Sequence, residues 1–207
     1  MRIAWIGGWG IAPEELRPLA VAHAPDAEHV LYVPVMGAPE LTSGCDALVA
    51  WSLGAHLALE AAARGVRLPS KTMLIAPFTS FCREHGACGK VSETQVRYLR
   101  RWMESDPAAA LADFRSRAGL PPADSPGLPY PSDELLAGLD VLAQPAGVSL
   151  VSFARGGLPA GWEAYVGDED PLLNAVGVAD AIKGCVIVEG AGHAITDFLK
   201  PEDRCAL

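Results

Sequence analysis

The stretch Ala50-Trp51-Ser52-Leu53-Gly54 decides the fold of this chain. It joins an apolar run, residues 47–51, to a longer segment of helical character, residues 53–64. A serine on a sharp turn between a buried strand and a helix is called a nucleophile elbow, and its usual spelling is Gly-x-Ser-x-Gly. Small residues are needed on both sides of the serine because the helix passes close to the strand. Ala50 meets this need, since alanine is only one methyl group larger than glycine.

The composition indicates one domain with a sizeable core, because half of the 207 residues are hydrophobic. A net charge of -9 disfavours nucleic acid as a partner, since phosphate binding draws on clustered lysine and arginine. No apolar run approaches the roughly 20 residues that span a bilayer, and the first, residues 3–6, is too short for a signal peptide. The 5 cysteines are scattered and odd in number, which favours reduced thiols. We therefore expect a cytoplasmic protein with no membrane partner.

Short apolar runs without polar alternation predict strands of a parallel sheet that helices cover on both faces. These runs occupy residues 2–6, 29–35, 47–51, 72–76, 162–166 and 185–188. Helical segments separate most of them, which is typical of an α/β fold. The connection between the second and third runs is barely long enough for a parallel crossover. Its helix is therefore expected to be reduced to a turn or missing.

In residues 78–145, here called the lid, helical spacing and proline-rich segments replace the short apolar runs. This pattern predicts a helical insertion into a core made of residues 1–77 and 146–207. The predicted lid helices run from the N-cap Ser92 to Asp106, over 108–117 and over 133–142, with an irregular proline-rich stretch at 119–131. Residues 148–153 fit either a strand or a helical turn, because six residues are too few to tell the apolar spacing of a strand from that of a helix.

Two later loops offer the partners that a serine nucleophile requires, namely a base and a third group that orients the base. Asp170 follows the predicted strand 162–166, and His193 lies on a glycine-flanked loop after the last strand. In open α/β sheets, catalytic groups gather in loops at the carboxyl ends of strands. The chain order Ser52, Asp170, His193 therefore predicts a catalytic triad.

Each of these residues also has a purely structural interpretation. Ser52 could be an ordinary helix N-cap, and His193 could be an exposed loop residue. Asp168 and Glu169 compete with Asp170 for the third role. The joint occurrence of all three loops favours the catalytic interpretation, with Asp170 preferred and Asp168 as the main alternative.

The glycine-rich loop Gly7-Gly8-Trp9-Gly10 follows the first strand directly and predicts an oxyanion hole. The backbone N–H of Trp9 can face that of Leu53, the residue after the nucleophile. Such donors are worth roughly 2.7 to 4 kcal/mol apiece in the transition state. The indole of Trp9 is expected to line the acyl pocket.

At these residues the chain resembles the α/β-hydrolase superfamily, and more narrowly the short pimeloyl-ACP methyl ester esterases of biotin synthesis, the BioG type. The resemblance is carried by residues 6–10, 48–54, 165–170 and 188–193. It implies an α/β-hydrolase fold with a shortened, mostly parallel sheet and a helical lid. It also implies a triad of Ser52, Asp170 and His193, with Trp9 and Leu53 as oxyanion donors.

The activity that this resemblance implies is hydrolysis of a methyl ester on a dicarboxylate chain tethered to acyl carrier protein, without a cofactor. One alternative is a thioesterase or acyltransferase that uses the same triad. Another is a non-catalytic ligand-binding protein on the same fold.

Three arginines in the first lid helix, Arg97, Arg100 and Arg101, share one face with Glu104. A charge run of this kind is usually a solvated face with i,i+4 pairs. In an otherwise acidic protein it would also suit the docking of an acidic carrier protein. Both interpretations stay open at this point.

For two further features we prefer a structural role over a catalytic or metal-binding one. Cys82, His85 and Cys88 have ligand-like spacing, but zinc needs a fourth ligand and none is evident, so we expect no metal and a lid loop with free thiols. His56 follows Ser52 by one helical turn. It is expected to be a packing residue, because a base so close in sequence would point down the helix, away from the turn.

Overall fold

The computed structural model describes residues 1–123 and 127–199. These residues form a six-stranded sheet of order β2-β1-β3-β4-β5-β6, in which every neighbouring pair is parallel. The strands are β1 Arg2–Ile6, β2 Glu28–Tyr32, β3 Ala47–Trp51, β4 Lys71–Ile75, β5 Trp162–Gly167 and β6 Cys185–Val188. The predicted fold class is confirmed, although β2 ends three residues before the predicted end at residue 35.

Helices connect most of these strands. They are α1 Pro13–His23, α2 Leu53–Ala63, α3 Glu93–Ser105, α4 Pro107–Arg117, α5 Ser132–Leu142, α6 Val148–Gly156 and α7 Ala175–Ala181. The predicted reduction between β2 and β3 is present as a short 3-10 helix, Pro39–Gly44. None of the helices in the described ranges is long and apolar enough to cross a membrane.

The lid segment contains α3, α4 and α5, which pack against one another through α3. Helix α3 begins at the predicted N-cap: the Ser92 hydroxyl accepts from the Gln95 N–H at 3.2 Å, and the Gln95 side chain accepts from the Ser92 N–H at 2.8 Å. This reciprocal capping box satisfies two N–H groups at the start of the helix. Residues 124–126 of the predicted irregular stretch lie outside the described residues.

Residues 148–153, which periodicity leaves unassigned, belong to α6. This helix packs against α2 in the core and buries Leu150 and Ala154, four residues apart on one face. Its apolar spacing is that of a short amphipathic helix, for which six residues are too few to show the period.

Strand order places the predicted site. The chain runs from β1 outward to β2 and then returns to β3 on the other side of β1. A crevice forms outside the carboxyl ends of the strands where the order reverses in this way. Gly7 directly follows β1 and Ser52 directly follows β3, so the glycine-rich loop and the serine flank that crevice.

Candidate active site

Ser52 lies on a strained turn between β3 and α2. Its backbone has a φ of 55° and a ψ of -117°, a conformation that residues with a side chain rarely adopt. The turn is held because the Ser52 N–H donates to the Ile75 carbonyl at 2.8 Å and its carbonyl accepts from the His56 N–H at 3.0 Å. Although Ser52 occupies the N-cap position of α2, its hydroxyl is used by His193 and not by the helix.

The glycines around the serine are required by close packing. A Cβ at Gly54 would lie 2.6 Å from the carbonyl oxygens of both Gly7 and Ile6, where no side chain fits. A Cβ at Gly8 would lie 3.3 Å from the Cβ of Ser52. The glycine-rich loop therefore lies directly against the serine.

Ser52, His193 and Asp170 form a continuous hydrogen-bonded chain. The Ser52 Oγ lies 3.0 Å from the His193 Nε2, and the His193 Nδ1 lies 2.7 Å from the Asp170 Oδ2. All three residues are buried, and Asp170 is fully so. With Nδ1 donating to the carboxylate, Nε2 of the neutral imidazole is free to accept the proton of the serine.

Backbone groups hold the carboxylate and the imidazole in place. The second oxygen of Asp170 accepts from the N–H groups of Leu172 and Leu173, at 2.8 and 3.0 Å. The His193 carbonyl accepts from the indole N–H of Trp51 at 2.9 Å. Both side chains are therefore preorganised before any substrate binds.

The other two acidic candidates are placed differently. The Asp168 carboxylate accepts from the Gly190 N–H at 2.7 Å and so ties the β5 loop to the β6 loop. Glu169 is exposed, and its N–H donates to the Ala191 carbonyl at 3.0 Å. Of the three carboxylates, it is that of Asp170 which contacts His193.

Sequence analysis missed Lys90, which reaches the same loop. Its ammonium group donates to the backbone carbonyl of Asp170 at 2.5 Å, and its N–H donates to the Leu172 carbonyl at 2.8 Å. A lone lysine in a loop carries no periodic or motif signal, so nothing in the sequence indicates this contact.

The predicted oxyanion donors flank the serine on two elements. Trp9 lies in the loop after β1, and Leu53 is the first residue of α2. Within residues 1–123 and 127–199, neither backbone N–H donates to a protein acceptor.

The Trp9 side chain is buried against the lid helices. Its indole is 2% exposed, donates to the Leu135 carbonyl of α5 at 2.8 Å and packs edge-on against Phe114 of α4, with centroids 4.7 Å apart. It is buried between the core and the lid and is not among the residues that line the lid cavity described below. The glycine-rich loop uses this indole to pack against the lid helices, and the lining of the acyl pocket by Trp9 stays a prediction.

Comparison with known proteins assigns the family. The model of the alpha/beta hydrolase family matches residues 8–206 of the sequence. The chain belongs to the alpha/beta hydrolase family. A search of curated protein sequences found no significant match.

Solved structures share the fold of this alpha/beta hydrolase. An esterase from Exiguobacterium antarcticum superposes with a TM-score of 0.69 at 14% identity, covering 95% of this chain and 86% of that one. A thermophilic esterase from Thermogutta terrifontis superposes with a TM-score of 0.66 at 13% identity, covering 98% and 85% of the two chains. At these identities the likeness establishes the fold alone.

The lid of this alpha/beta hydrolase lines a partly open cavity of about 530 Å³. Its wall is mainly apolar and includes Leu99, Trp102, Phe114 and Leu139 from the three lid helices. Leu172, two residues after Asp170, completes the wall on the core side. A cavity of this size is typical of sites for small organic molecules.

The three lid arginines have unequal surroundings. Arg97 pairs with Glu93 one turn earlier, and Arg100 pairs with both Glu104 and Asp140, each at 2.6 Å. Arg101 is exposed. Local carboxylates thus neutralise part of this face, as in an ordinary solvated helix.

Cys82 and His56 are buried in packing roles. Cys82 donates to the Leu142 carbonyl at 3.4 Å, and burial raises the pKa of its thiol to about 11. The described residues contain no cluster able to hold a metal ion. His56 stacks on Phe78, with centroids 4.8 Å apart, and burial lowers the pKa of its imidazole.

Proposed function

We propose that this alpha/beta hydrolase is a serine carboxylesterase. The observation that carries the proposal is the buried hydrogen-bonded chain from the Ser52 Oγ through His193 to Asp170. The Ser52 end of this hydrogen-bonded series lies beside the glycine-rich loop, whose Trp9 N–H has no internal acceptor among the described residues. This combination of nucleophile, oriented base and adjacent donors fits acyl transfer through a covalent intermediate.

In the proposed reaction, the Ser52 Oγ attacks the ester carbonyl while its proton passes to the His193 Nε2. The oxyanion of the tetrahedral intermediate is stabilised by the N–H groups of Trp9 and Leu53. The intermediate collapses to an acyl-enzyme as the alcohol leaves with the proton from His193. Water then attacks the acyl-enzyme, with His193 as base, and releases the acid and Ser52. Asp170 stabilises the imidazolium that forms in both steps.

The substrate that we propose is the methyl ester of pimeloyl-ACP in biotin synthesis. The four sequence blocks shared with the BioG type support this assignment, and three of them contain the triad. In the proposed complex the hydrocarbon chain would extend from Ser52 past Leu172 into the mainly apolar lid cavity, whose lining includes neighbours of Asp170 but none of the three triad residues. The expected products are methanol and an acyl carrier protein that still carries the dicarboxylate chain, now with a free terminal carboxylate.

We propose that acyl carrier protein docks on the arginine face of α3. The carrier is acidic, so attraction to the face would raise the association rate at low salt. Since Arg97 and Arg100 are paired with carboxylates, Arg101 would contribute most of the electrostatic attraction to the carrier. Arg101→Glu should therefore slow hydrolysis of carrier-bound ester at low salt more than Arg97→Glu does, and leave free small esters almost untouched. Equal effects on bound and free ester would refute carrier docking.

The decisive experiment for catalysis is the Ser52→Ala variant. Loss of the nucleophile should lower turnover of a short p-nitrophenyl ester by a factor on the order of 10⁶ and abolish labelling by a fluorophosphonate probe. Wild-type rates in Ser52→Ala would refute the assignment. A wild-type protein that neither turns over esters nor labels would instead support the ligand-binding alternative.

Product analysis separates the remaining alternatives. Methyl ester and thioester forms of the same acyl group would be supplied to wild-type enzyme, and the released methanol, thiol and acid measured. Preference for the thioester, or transfer of the acyl group to an acceptor other than water, would contradict the esterase proposal in favour of a thioesterase or acyltransferase. Growth rescue of a biotin-requiring strain that lacks its own esterase tests the pathway.

A further inference from the structure

Three side-chain or backbone groups of the lid hold the glycine-rich loop that would supply the oxyanion donor. The Tyr130 hydroxyl accepts from the Gly10 N–H at 2.9 Å, and the Arg115 guanidinium donates to the Gly10 carbonyl at 3.4 Å. The Leu135 carbonyl accepts from the Trp9 indole at 2.8 Å. The residues joined by these contacts are between 105 and 126 positions apart. The lid therefore holds the loop by hydrogen bonds to the N–H and the carbonyl of Gly10 and to the indole of Trp9.

Arg115 is built into this contact as a buried ion. It is 3% exposed, it forms an ion pair with Glu15 at 2.7 Å, and it donates to the Pro121 carbonyl at 2.8 Å. Glu15 in turn accepts from the Ala12 N–H at 2.9 Å, which closes the first turn of α1. Arg115 thus links the glycine-rich loop to the start of the helix that follows it. A buried cation needs such a complete set of partners to offset its desolvation.

The loop needs these restraints because glycines on both sides of Trp9 leave it conformationally permissive. Gly10 has a φ of 74°, and a Cβ at this position would lie 2.5 Å from Leu111 of α4. On the other side, the Gly7 carbonyl accepts from the Gly54 N–H at 3.1 Å. The peptide groups around Trp9 are therefore held from the core at one end and from the lid at the other.

We propose that Tyr130 and Arg115 are positioning residues of the oxyanion hole, which aim the Trp9 N–H at the reacting carbonyl without contacting substrate. The inference rests on the proposed esterase function. A preorganised donor stabilises the transition state more than the bound ester, so a loosened loop lowers kcat and leaves KM nearly unchanged. The lid then has a second role besides enclosing the acyl chain, since it completes the catalytic apparatus of the core.

Tyr130→Phe tests this inference, because it keeps the ring and removes the acceptor of the Gly10 N–H. We expect kcat per active site to fall about tenfold, which is less than the 10²–10³ lost when an oxyanion donor is removed outright. KM should change less than twofold. Affinity for a trifluoromethyl ketone, which forms a tetrahedral adduct with the serine, should fall in parallel with kcat/KM. Active sites are counted by the end-point of fluorophosphonate labelling, so misfolded protein does not contribute to the rate.

Tyr165→Phe is the matched control, since that hydroxyl donates at 2.9 Å to Glu163 on the same strand, outside the site. It should keep wild-type kcat and inhibitor affinity. Arg115→Lys, which retains the charge but not the fork, should show the same kcat-specific loss as Tyr130→Phe. Wild-type kcat and inhibitor affinity in Tyr130→Phe would overturn the inference. An increase in KM as large as the decrease in inhibitor affinity would also overturn it, because the loss would then lie in substrate binding. If Ser52→Ala were inactive while Tyr130→Phe behaved as wild type, the positioning role alone would fail and the esterase proposal would stand.

Discussion

The ammonium group of Lys90 lies 2.5 Å from the backbone carbonyl oxygen of Asp170, 80 residues further along the chain. The same segment pairs with the Asp170 loop through its backbone, because the Asn174 N–H donates to the Cys88 carbonyl at 2.7 Å. Gly89 has no room for a side chain, since a Cβ there would lie 1.6 Å from the Phe81 carbonyl oxygen. The segment that follows β4 is thus a fixed support for the proposed acid of the triad.

Lys90→Met should weaken that support. A partly exposed hydrogen bond contributes about 0.5–1.5 kcal/mol to the folded state, so kcat/KM should decrease by at most roughly tenfold. Lys90→Arg should recover part of it, because the donor and charge remain. Steady-state ester hydrolysis measures both, with Lys71→Met as control, since Lys71 lies exposed at the opposite end of β4. Equal rates for Lys90→Met and wild type would show that the contact has no catalytic importance.

Asp170→Asn and Asp168→Asn distinguish the two candidate acids. The first removes the charge that orients the His193 tautomer and should lower kcat by about 10⁴. The second weakens only the contact to the Gly190 N–H and should cost less than tenfold. Single-turnover or steady-state kinetics on a small ester would decide. A larger loss in Asp168→Asn would contradict the role assigned to Asp170.

Gly54→Ala should destabilise the protein even though the change adds a single methyl group. That methyl would lie 2.6 Å from two carbonyl oxygens of the β1 end, and overpacking of this kind costs about 1–3 kcal/mol or more. Denaturant unfolding measures the loss. Gly156→Ala is the control, because nothing outside its own helix and chain neighbours lies within 4 Å of the position that its Cβ would occupy, and it should be neutral or stabilising by up to about 1 kcal/mol. A Gly54→Ala protein as stable as wild type would show that the elbow relaxes freely.

The buried His56 should make stability dependent on pH. Burial lowers its folded-state pKa below the ordinary 6.5, so the unfolded chain binds the proton more readily. The free energy of unfolding should therefore be highest above about pH 6.5 and decrease as the pH falls below it, by at most about 1.4 kcal/mol per pH unit for one group. Urea unfolding between pH 5 and 7.5 tests this. His56→Gln should flatten the dependence, and an unchanged slope would exclude His56 as its source.

The elements that sequence predicts well are those with local causes. The run 47–51 is apolar throughout because β3 is buried on both faces between β1 and β4, and all five of its residues are buried. The capping box at Ser92 follows from contacts within a single helical turn. The predicted end of β2 lies too far along the chain, because apolar residues that continue beyond a strand do not reveal where its pairing stops.

The amino-acid sequence by itself determined the parallel α/β architecture, the turn at Ser52 and the order of the three loops that carry the proposed triad. These follow from hydrophobic runs, glycines and spacing, which act over a few residues. Only the tertiary structure decided that Asp170 rather than Asp168 meets His193, that Lys90 supports the acid loop, and that Trp9 docks the glycine-rich loop on the lid. Each of these contacts joins residues at least 23 positions apart, and such a contact depends on how strands and helices pack, which no local pattern encodes.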